Sequence, residues 1–276
     1  MKPDAGDLDC GLTEGIGYLR RSCRPATSTL VLLHGIGSNA ASFTALLQAL
    51  PDGIDAIAWD APGYGQSTPL DIVAPSPQHY ADALAKFLDA LKLSTVALAG
   101  HSLGSLFAGS FARHYPDRAS ALALLSPALG SGVVPGAPLP PGVQSRIDDI
   151  VALGPKAFAR KRAPRLVGDP EARPEIVAAV EQAMGSVNPP GYIQAVRALG
   201  AGQLLVDAAS IRTPAMVAVG TRDQITPPKN AHALHAALAN AVGIHEVPGA
   251  GHALPQEEPA GVARLLAQLI ESPAHV

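Results

Sequence analysis

Short apolar runs alternate with segments of helical periodicity along most of the chain. A continuous run such as Leu30-Val31-Leu32-Leu33 is typical of a strand covered on both faces of a sheet. Segments with apolar residues three and four positions apart predict amphipathic helices between these runs. The pattern predicts strands over residues 16–21, 29–33, 54–59, 94–99, 120–125, 213–220 and 242–247. It predicts helices over residues 40–50, 77–91, 103–115, 228–239 and 256–269.

The alternation predicts an α/β fold with a mostly parallel sheet and right-handed crossovers. It stops at residues 130–142, which are dense in proline and glycine, and is followed by helical patterns alone over 144–153, 174–184 and 191–199. We therefore predict a core domain of residues 1–129 and 207–276. A helical cap, residues 130–206, is predicted to be inserted into that core over the carboxyl edge of the sheet.

The stretch Gly100-His101-Ser102-Leu103-Gly104 lies between a predicted strand and a predicted helix. Gly-x-Ser-x-Gly in this context predicts a nucleophile elbow, a turn so tight that larger residues flanking the serine would clash. The turn would expose the Ser102 hydroxyl at the carboxyl end of the sheet, above a helix N-terminus. Ser102 is therefore the predicted nucleophile.

A serine hydroxyl needs a base, and the base needs a group that orients it. The loops after the last two predicted strands hold Asp223 and His252, in the expected order serine, acid, histidine. Asp60 also follows a strand and is the alternative acid, although its loop of prolines and glycines favours a role in holding a turn. His101 is expected to point away from the nucleophile and to serve in packing.

The oxyanion of an acyl-transfer reaction needs two N–H donors. The residue after the nucleophile, Leu103, supplies one in this kind of turn, and the loop after the strand ending at residue 33 supplies the other. We predict the Ile36 N–H as the second donor, with Gly37 as the near alternative.

Composition excludes several other classes of protein. The chain has 276 residues, of which 47% are hydrophobic and 16% charged, and its formal net charge is −3. These values predict a folded globular protein and argue against nucleic-acid or membrane partners. Residues 1–7 lack the apolar core of a signal peptide, which predicts a cytoplasmic protein. Cys10 and Cys23 are close enough in sequence to pair but are expected to be reduced there.

The chain resembles the α/β-hydrolase superfamily over almost its whole length. The matching segments are Leu33-His34-Gly35, Trp59-Asp60-Ala61-Pro62-Gly63-Tyr64-Gly65-Gln66-Ser67, Gly100-His101-Ser102-Leu103-Gly104, Gly220-Thr221-Arg222-Asp223 and Gly251-His252. The resemblance implies an eight-stranded sheet flanked by helices, with a helical cap. The hydrophobic pattern predicts seven of these strands, and the first strand of the family would lie near residues 8–12. It also implies catalysis without a cofactor or a metal.

The same resemblance narrows the reaction. Family dehalogenases and epoxide hydrolases carry an aspartate at the position of Ser102, so neither fits. Hydrolases of carbon–carbon bonds usually have a longer glycine run where this chain has Ile36-Gly37-Ser38, and a tryptophan at the position of Ala253. The chain looks most like carboxylesterases and 3-oxoadipate enol-lactonases, which implies a small-molecule ester or lactone as substrate.

Three other functions stay open on the same residues: carbon–carbon bond hydrolysis, acyl transfer to an acceptor other than water, and a receptor that binds without turnover. Substrate-binding residues are not identified by the sequence. Arg160, Arg165 and Arg197 are scattered through the predicted cap, where all three are expected on the surface; one facing the pocket would indicate an acidic substrate.

Overall fold

The computed structural model describes residues 8–271, so residues 1–7, on which the signal-peptide prediction depends, lie outside it. Within the described range, eight strands form one sheet in the order β1-β2-β4-β3-β5-β6-β7-β8. The strands are β1 (Leu8–Thr13), β2 (Ile16–Arg21), β3 (Ser28–Leu33), β4 (Ile54–Trp59), β5 (Val96–His101), β6 (Ala119–Leu125), β7 (Ala215–Gly220) and β8 (Ala241–Val247). Pairing is antiparallel from β1 to β2 and from β2 to β4, and parallel from β4 to β8. The eight-stranded α/β-hydrolase fold that the resemblance implies is confirmed, including its first strand, which the hydrophobic pattern did not predict.

Helices cover both faces of the sheet. They are α1 (Thr44–Ala49), α2 (Pro77–Ala90), α3 (Leu103–His114), α4 (Pro141–Arg162), α5 (Pro174–Gly185), α6 (Pro189–Ala201), α7 (Leu204–Ala208), α8 (Pro228–Ala237), α9 (Leu254–Glu257) and α10 (Pro259–Glu271). Alternate residues of the central strands face opposite sides, as the two-residue period of a strand requires. Val31 and Leu33 lie in the same cluster as Phe107, whereas Leu30 and Leu32 lie in that of Leu266. This double covering explains why the inner strands are apolar throughout.

The edges of the sheet differ from the prediction of strands buried on both faces. Strand β8 is paired on one side only and contains only exposed and half-buried residues, and β1 is similar. The helix predicted over 256–269 is also two helices, α9 and α10, because the missing N–H of Pro259 favours a new helix start. The helix predicted over 40–50 begins as a 3-10 turn, Ala40–Phe43, before α1.

The segment 130–206 contains α4, α5 and α6 and no strand, as predicted. Its two ends meet at an isolated bridge between Gly130 and Gln203, supported by a hydrogen bond from the Gly132 N–H to the Gly202 carbonyl oxygen (2.8 Å). The segment therefore leaves and rejoins the sheet-bearing part at one place. Its status as a separate cap domain stays a prediction.

The structure contains neither a disulfide between the two cysteines nor, among the described residues, a membrane-spanning helix. Cys10 and Cys23 are not paired with each other; the Cys23 sulfur instead accepts a hydrogen bond from the Gly53 N–H. Between residues 8 and 271, no helix has the length and apolar character needed to cross a membrane.

Candidate active site

Ser102 lies in a strained turn between β5 and α3. Its backbone angles are φ 52° and ψ −113°, a conformation that costs about 1–3 kcal/mol outside glycine. The surrounding structure holds it there: the Ser102 N–H donates to the Leu125 carbonyl oxygen (2.9 Å). A Cβ on Gly104 would lie 2.0 Å from the Leu33 carbonyl oxygen, and one on Gly100 would lie 2.3 Å from that of Gly104. Both flanking positions therefore require glycine, as the elbow prediction assumes.

Ser102, His252 and Asp223 form one hydrogen-bonded series. The Ser102 Oγ lies 3.0 Å from His252 Nε2, and His252 Nδ1 lies 2.9 Å from Asp223 Oδ2. All three residues are buried, with residual exposures of 3–4%. Asp223 lies in the loop after β7 and His252 in the loop after β8. Because these strands are parallel to β5, their carboxyl ends meet at one edge of the sheet.

Thr226 completes the surroundings of the Asp223 carboxylate, a role that no motif in the sequence indicated. Its hydroxyl lies 2.9 Å from Asp223 Oδ2 and 3.0 Å from the Ser126 carbonyl oxygen. The N–H groups of Ile225 and Thr226 donate to Asp223 Oδ1 at 2.8 and 2.9 Å. Burial raises the pKa of Asp223, but the interactions with His252 and these N–H groups lower it by more. The net pKa lies below its ordinary value, so the carboxylate is ionised at neutral pH.

Asp60, the alternative acid, is placed elsewhere. Its Oδ1 accepts a hydrogen bond from the Ala40 N–H (2.8 Å) at the start of the 3-10 turn. It makes no hydrogen bond with His252 among the described residues. The structure thus gives Asp60 the turn-holding role that its loop suggested.

Ile36 and Leu103 border the same cavity as Ser102 and His252. Leu103 is the first residue of α3, so its N–H has no partner within the helix. Neither the Leu103 N–H nor the Ile36 N–H donates to another group between residues 8 and 271. The loop of Ile36 is held by His34, whose Nδ1–H donates to the Gly35 carbonyl oxygen (2.9 Å) while its Nε2 accepts from the Ala61 N–H (3.0 Å).

His101 is buried behind the nucleophile and supports the histidine loop. Its Nε2–H donates to the backbone carbonyl oxygen of His252 (2.7 Å), which fixes the tautomer of His101. Burial, together with the neighbouring His252, lowers the pKa of His101 to about 3. His101 therefore stays neutral in the folded protein over the whole physiological range.

We expect this buried histidine to make the protein acid-sensitive. Between pH 6.5 and pH 3 the unfolded chain protonates His101 and the folded protein does not, so His101 alone makes stability fall as pH falls, by at most about 1.4 kcal/mol per pH unit. His101→Gln keeps an N–H donor without a titrating group, so its unfolding free energy should fall less steeply. Urea unfolding at pH 4, 5, 6 and 7 measures both slopes. Equal slopes in the two proteins would contradict the assignment.

Glu257 ties the segment 130–206 to the loop of His252, a link that no sequence motif indicated. Its side chain is fully buried. Glu257 Oε1 accepts from the Gly251 N–H (2.8 Å), and Oε2 accepts from the Gly168 N–H (2.9 Å). A Cβ on Gly168 would lie 2.4 Å from the Gly249 carbonyl oxygen, so the two backbones touch there. The position of His252 therefore depends on the segment 130–206 as well as on the sheet.

The cavity in front of Ser102 lies between the sheet edge and the segment 130–206. Its volume is about 190 Å³, below the ~300–1,000 Å³ of typical ligand pockets. Met184, Tyr192 and Leu199 form part of its helical wall. Among the described residues, no group of three or more histidine, cysteine, aspartate or glutamate side chains is arranged to hold a metal ion.

Comparison with known proteins places this geometry in a family. The family model described as "Serine aminopeptidase, S33" matches residues 24–259. The chain is 28% identical to a pimeloyl-(acyl-carrier protein) methyl ester esterase from Chromobacterium violaceum, over 89% of this chain and 95% of that protein. It is 31% identical to an (E)-2-((N-methylformamido)methylene)succinate hydrolase from Acinetobacter baylyi, over 70% of this chain and 72% of that protein.

A solved structure extends the comparison to the fold. The enol-lactonase from Burkholderia xenovorans superimposes with a TM-score of 0.84, covering 96% of this chain and 100% of that one. At 21% sequence identity this match establishes the shared fold alone. The family model, which spans most of the chain and includes Ser102, Asp223 and His252, carries the assignment further. The chain belongs to the serine aminopeptidase S33 family, and with it to the serine hydrolases of the α/β-hydrolase superfamily.

Proposed function

We propose that the protein cleaves carboxylic esters or lactones of small molecules through an acyl-enzyme on Ser102. One observation carries this proposal: the series Ser102–His252–Asp223, with separations of 3.0 and 2.9 Å, opens on a cavity large enough for a small acyl group. A serine oxygen next to an acceptor nitrogen, which is itself oriented by a carboxylate, is an activated nucleophile.

In the proposed reaction, His252 Nε2 accepts the proton as the Ser102 Oγ attacks the acyl carbon. The imidazolium then protonates the leaving alkoxide, which leaves the acyl group on Ser102. Water attacks this ester in the second half, His252 takes a proton from the water, and the acid and the free serine are released. The ionised Asp223 fixes the His252 tautomer and stabilises the imidazolium in both halves.

The N–H groups of Ile36 and Leu103 are the proposed donors to the tetrahedral oxyanion. Both are free of other partners within residues 8–271, and both residues border the cavity beside Ser102. The Leu103 N–H also lies at the N-terminus of α3, where the helix dipole favours negative charge. Removing one such donor typically costs about 3 kcal/mol of transition-state stabilisation.

The relatives support an ester or lactone as substrate. One relative is a methyl ester esterase, and one solved structure of the same fold is an enol-lactonase. A third is a hydrolase of a substituted succinate, so reactions within the family vary. The protein is a hydrolase by family, and the choice of ester or lactone is the proposal.

A p-nitrophenyl ester series from acetyl to dodecanoyl, together with a simple lactone, tests this function. We expect turnover with an optimum at short acyl chains, because the cavity is only about 190 Å³. Rapid mixing should release a burst of about one p-nitrophenolate per chain, and the acyl mass should map to the peptide that contains Ser102. A folded protein that hydrolyses none of these substrates, or an acyl group on another residue, would contradict the proposal. Product analysis with added methanol separates hydrolysis from acyl transfer.

A cytoplasmic location is part of the same proposal. Cys10 and Cys23, which are unpaired in the structure, are compatible with the reducing compartment that this location implies. Fractionation of the cells that make the protein would check it.

A further inference from the structure

Two arginines of α4 face the cavity beside Ser102. Among the described residues that line this cavity, Arg146 and Arg162 are the permanently charged ones, and none is an aspartate or a glutamate. Arg160, Arg165 and Arg197, the arginines considered from the sequence, do not line it. The part of the cavity wall that α4 contributes is therefore positive.

A kink in α4 brings the two arginines to one cavity. They are sixteen positions apart, a separation of about 24 Å along a straight helix. Gly154 interrupts the helix with φ 70° and ψ 163°, a backbone conformation that is essentially restricted to glycine, and Pro155 begins the second half. The two halves of α4 fold toward each other at this point. The kink at Gly154 thus brings Arg146 and Arg162 to the same cavity.

The positive charge at this wall exceeds the negative charge around it. The Arg162 side chain is 17% exposed, and its Nη1 lies 3.6 Å from Asp149 Oδ2. The same Asp149 carboxylate also accepts from Lys161 Nζ at 3.1 Å. Arg146 makes no ion pair with any carboxylate within residues 8–271. One carboxylate is therefore shared by two cations and Arg146 has none, so an anion in the cavity would be stabilised.

The electrostatic effects of the two arginines on their neighbours agree with this arrangement. Burial, and next the nearby charge of Arg146, lower the pKa of Arg162. Burial raises the pKa of Tyr192, and the Arg146 guanidinium lowers it by a smaller amount. Tyr192 is 1% exposed, so Arg146 reaches into the interior of the cavity wall.

We propose that Arg146 and Arg162 bind a carboxylate of the substrate, so that the ester or lactone cleaved at Ser102 is that of a small acid carrying a second, free carboxyl group. The inference rests on the proposed function and names its substrate class. A guanidinium presents paired N–H donors that match the two oxygens of a carboxylate. Since the cavity is about 190 Å³, the free carboxylate and the scissile carbonyl belong to one compact molecule.

Two isosteric substrates test the inference. The p-nitrophenyl half-ester of glutaric acid ends in a carboxylate, and p-nitrophenyl 5-methylhexanoate ends in an isopropyl group of similar shape. We expect kcat/KM to be at least about tenfold higher for the half-ester, the factor that corresponds to one charge-assisted interaction. Equal or lower kcat/KM for the half-ester would overturn the inference while leaving the proposed ester hydrolysis intact.

Variants assign the effect to the two arginines. Arg146→Met and Arg162→Met should each lower kcat/KM for the half-ester about tenfold or more, and change that for the neutral ester less than about threefold. Arg160→Met removes an exposed charge from the same helix and should change neither. Arg162 also lies 5.1 Å from the Phe158 ring, so Arg162→Lys is added as a variant that keeps the charge. Equal losses on both substrates in the Arg146 and Arg162 variants would overturn the inference.

Binding tests the inference without turnover. In Ser102→Ala, calorimetry should detect glutarate binding that weakens about tenfold in the double variants carrying Arg146→Met or Arg162→Met. Inorganic phosphate at the same concentration should bind more weakly than glutarate; equal or tighter phosphate binding would overturn the carboxylate assignment. Absence of glutarate binding would overturn it also. If no ester is hydrolysed but glutarate binds through these arginines, the proposed function fails and the anion site stands.

Discussion

Ser102→Ala should reduce kcat for the best ester by a factor of about 10⁵ to 10⁶ while leaving the fold intact. The change removes the oxygen that lies 3.0 Å from His252 Nε2, and with it the acyl-enzyme route. What remains is direct attack by water, assisted by the proposed oxyanion donors. The turn should tolerate alanine sterically, because Gly100 and Gly104, which make the close backbone contacts, are unchanged. Steady-state hydrolysis beside the wild type, with the burst and the acyl mass both lost, measures this result.

A matched control lies on the same helix. Ser110 is buried on α3, and its hydroxyl lies 3.4 Å from His114 Nδ1, away from the cavity. Ser110→Ala makes the same chemical change and should keep kcat within about threefold of the wild type, since it removes one weak hydrogen bond. More than about 1% of wild-type activity in purified Ser102→Ala would contradict the acyl-enzyme mechanism, whose triad serine normally carries far more of the rate than that.

Asp223→Asn should reduce kcat by about 10⁴ with little change in structure. Two N–H groups donate to Asp223 Oδ1, so the oxygen of an asparagine amide would occupy that position. Its NH₂ group would then face His252 Nδ1, 2.9 Å from the present Oδ2. An N–H donor there forces Nδ1 to act as acceptor, and the proton moves to Nε2, where it blocks acceptance of the Ser102 proton. The N–H groups of Ile225 and Thr226 thus set the orientation of the asparagine amide at position 223.

Asp60→Asn is the control for this variant, because Asp60 is the other carboxylate that the sequence placed after a strand. It accepts from the Ala40 N–H at 2.8 Å and should affect stability by about 1 kcal/mol, with kcat within about tenfold of the wild type. Parallel measurements of kcat and of urea unfolding distinguish the two effects. Near-normal turnover in Asp223→Asn together with loss of turnover in Asp60→Asn would exchange the roles assigned to them.

The sequence predicted the fold because its signals are local. Buried parallel strands are apolar over their whole length, and the helices between them repeat with their own period, so the alternation can be recognised without knowing contacts. The elbow was recognisable for the same reason, since Gly100 and Gly104 flank the serine within five residues. The prediction was wrong where the exposure of a strand depends on its neighbours in the sheet. Strand β8 is paired on one side only, and exposure there follows from its place in the sheet.

The sequence predicted only the part of the site that follows from the order of the loops along the chain. Asp223 and His252 follow successive strands, and parallel strands bring such loops to one edge, so their meeting with Ser102 could be expected. Thr226 and Glu257 carried no comparable signal. Each acts through a hydrogen bond to a residue or backbone group whose position depends on how loops pack: Thr226 on Asp223, and Glu257 on Gly168 and Gly251.

By itself, the sequence determined that the chain forms a mostly parallel sheet with a nucleophile elbow, and it identified three candidate catalytic side chains. Each of these features follows from a short pattern of polarity and turn residues. Only the tertiary structure decided which side chains face the cavity. Arg160 and Arg162 are near neighbours in one basic run, yet Arg162 lines the cavity and Arg160 does not. The direction of the second half of α4 depends on the kink at Gly154 and on packing against the rest of the segment. The direction in which a side chain points depends on three-dimensional packing, which no local sequence pattern encodes.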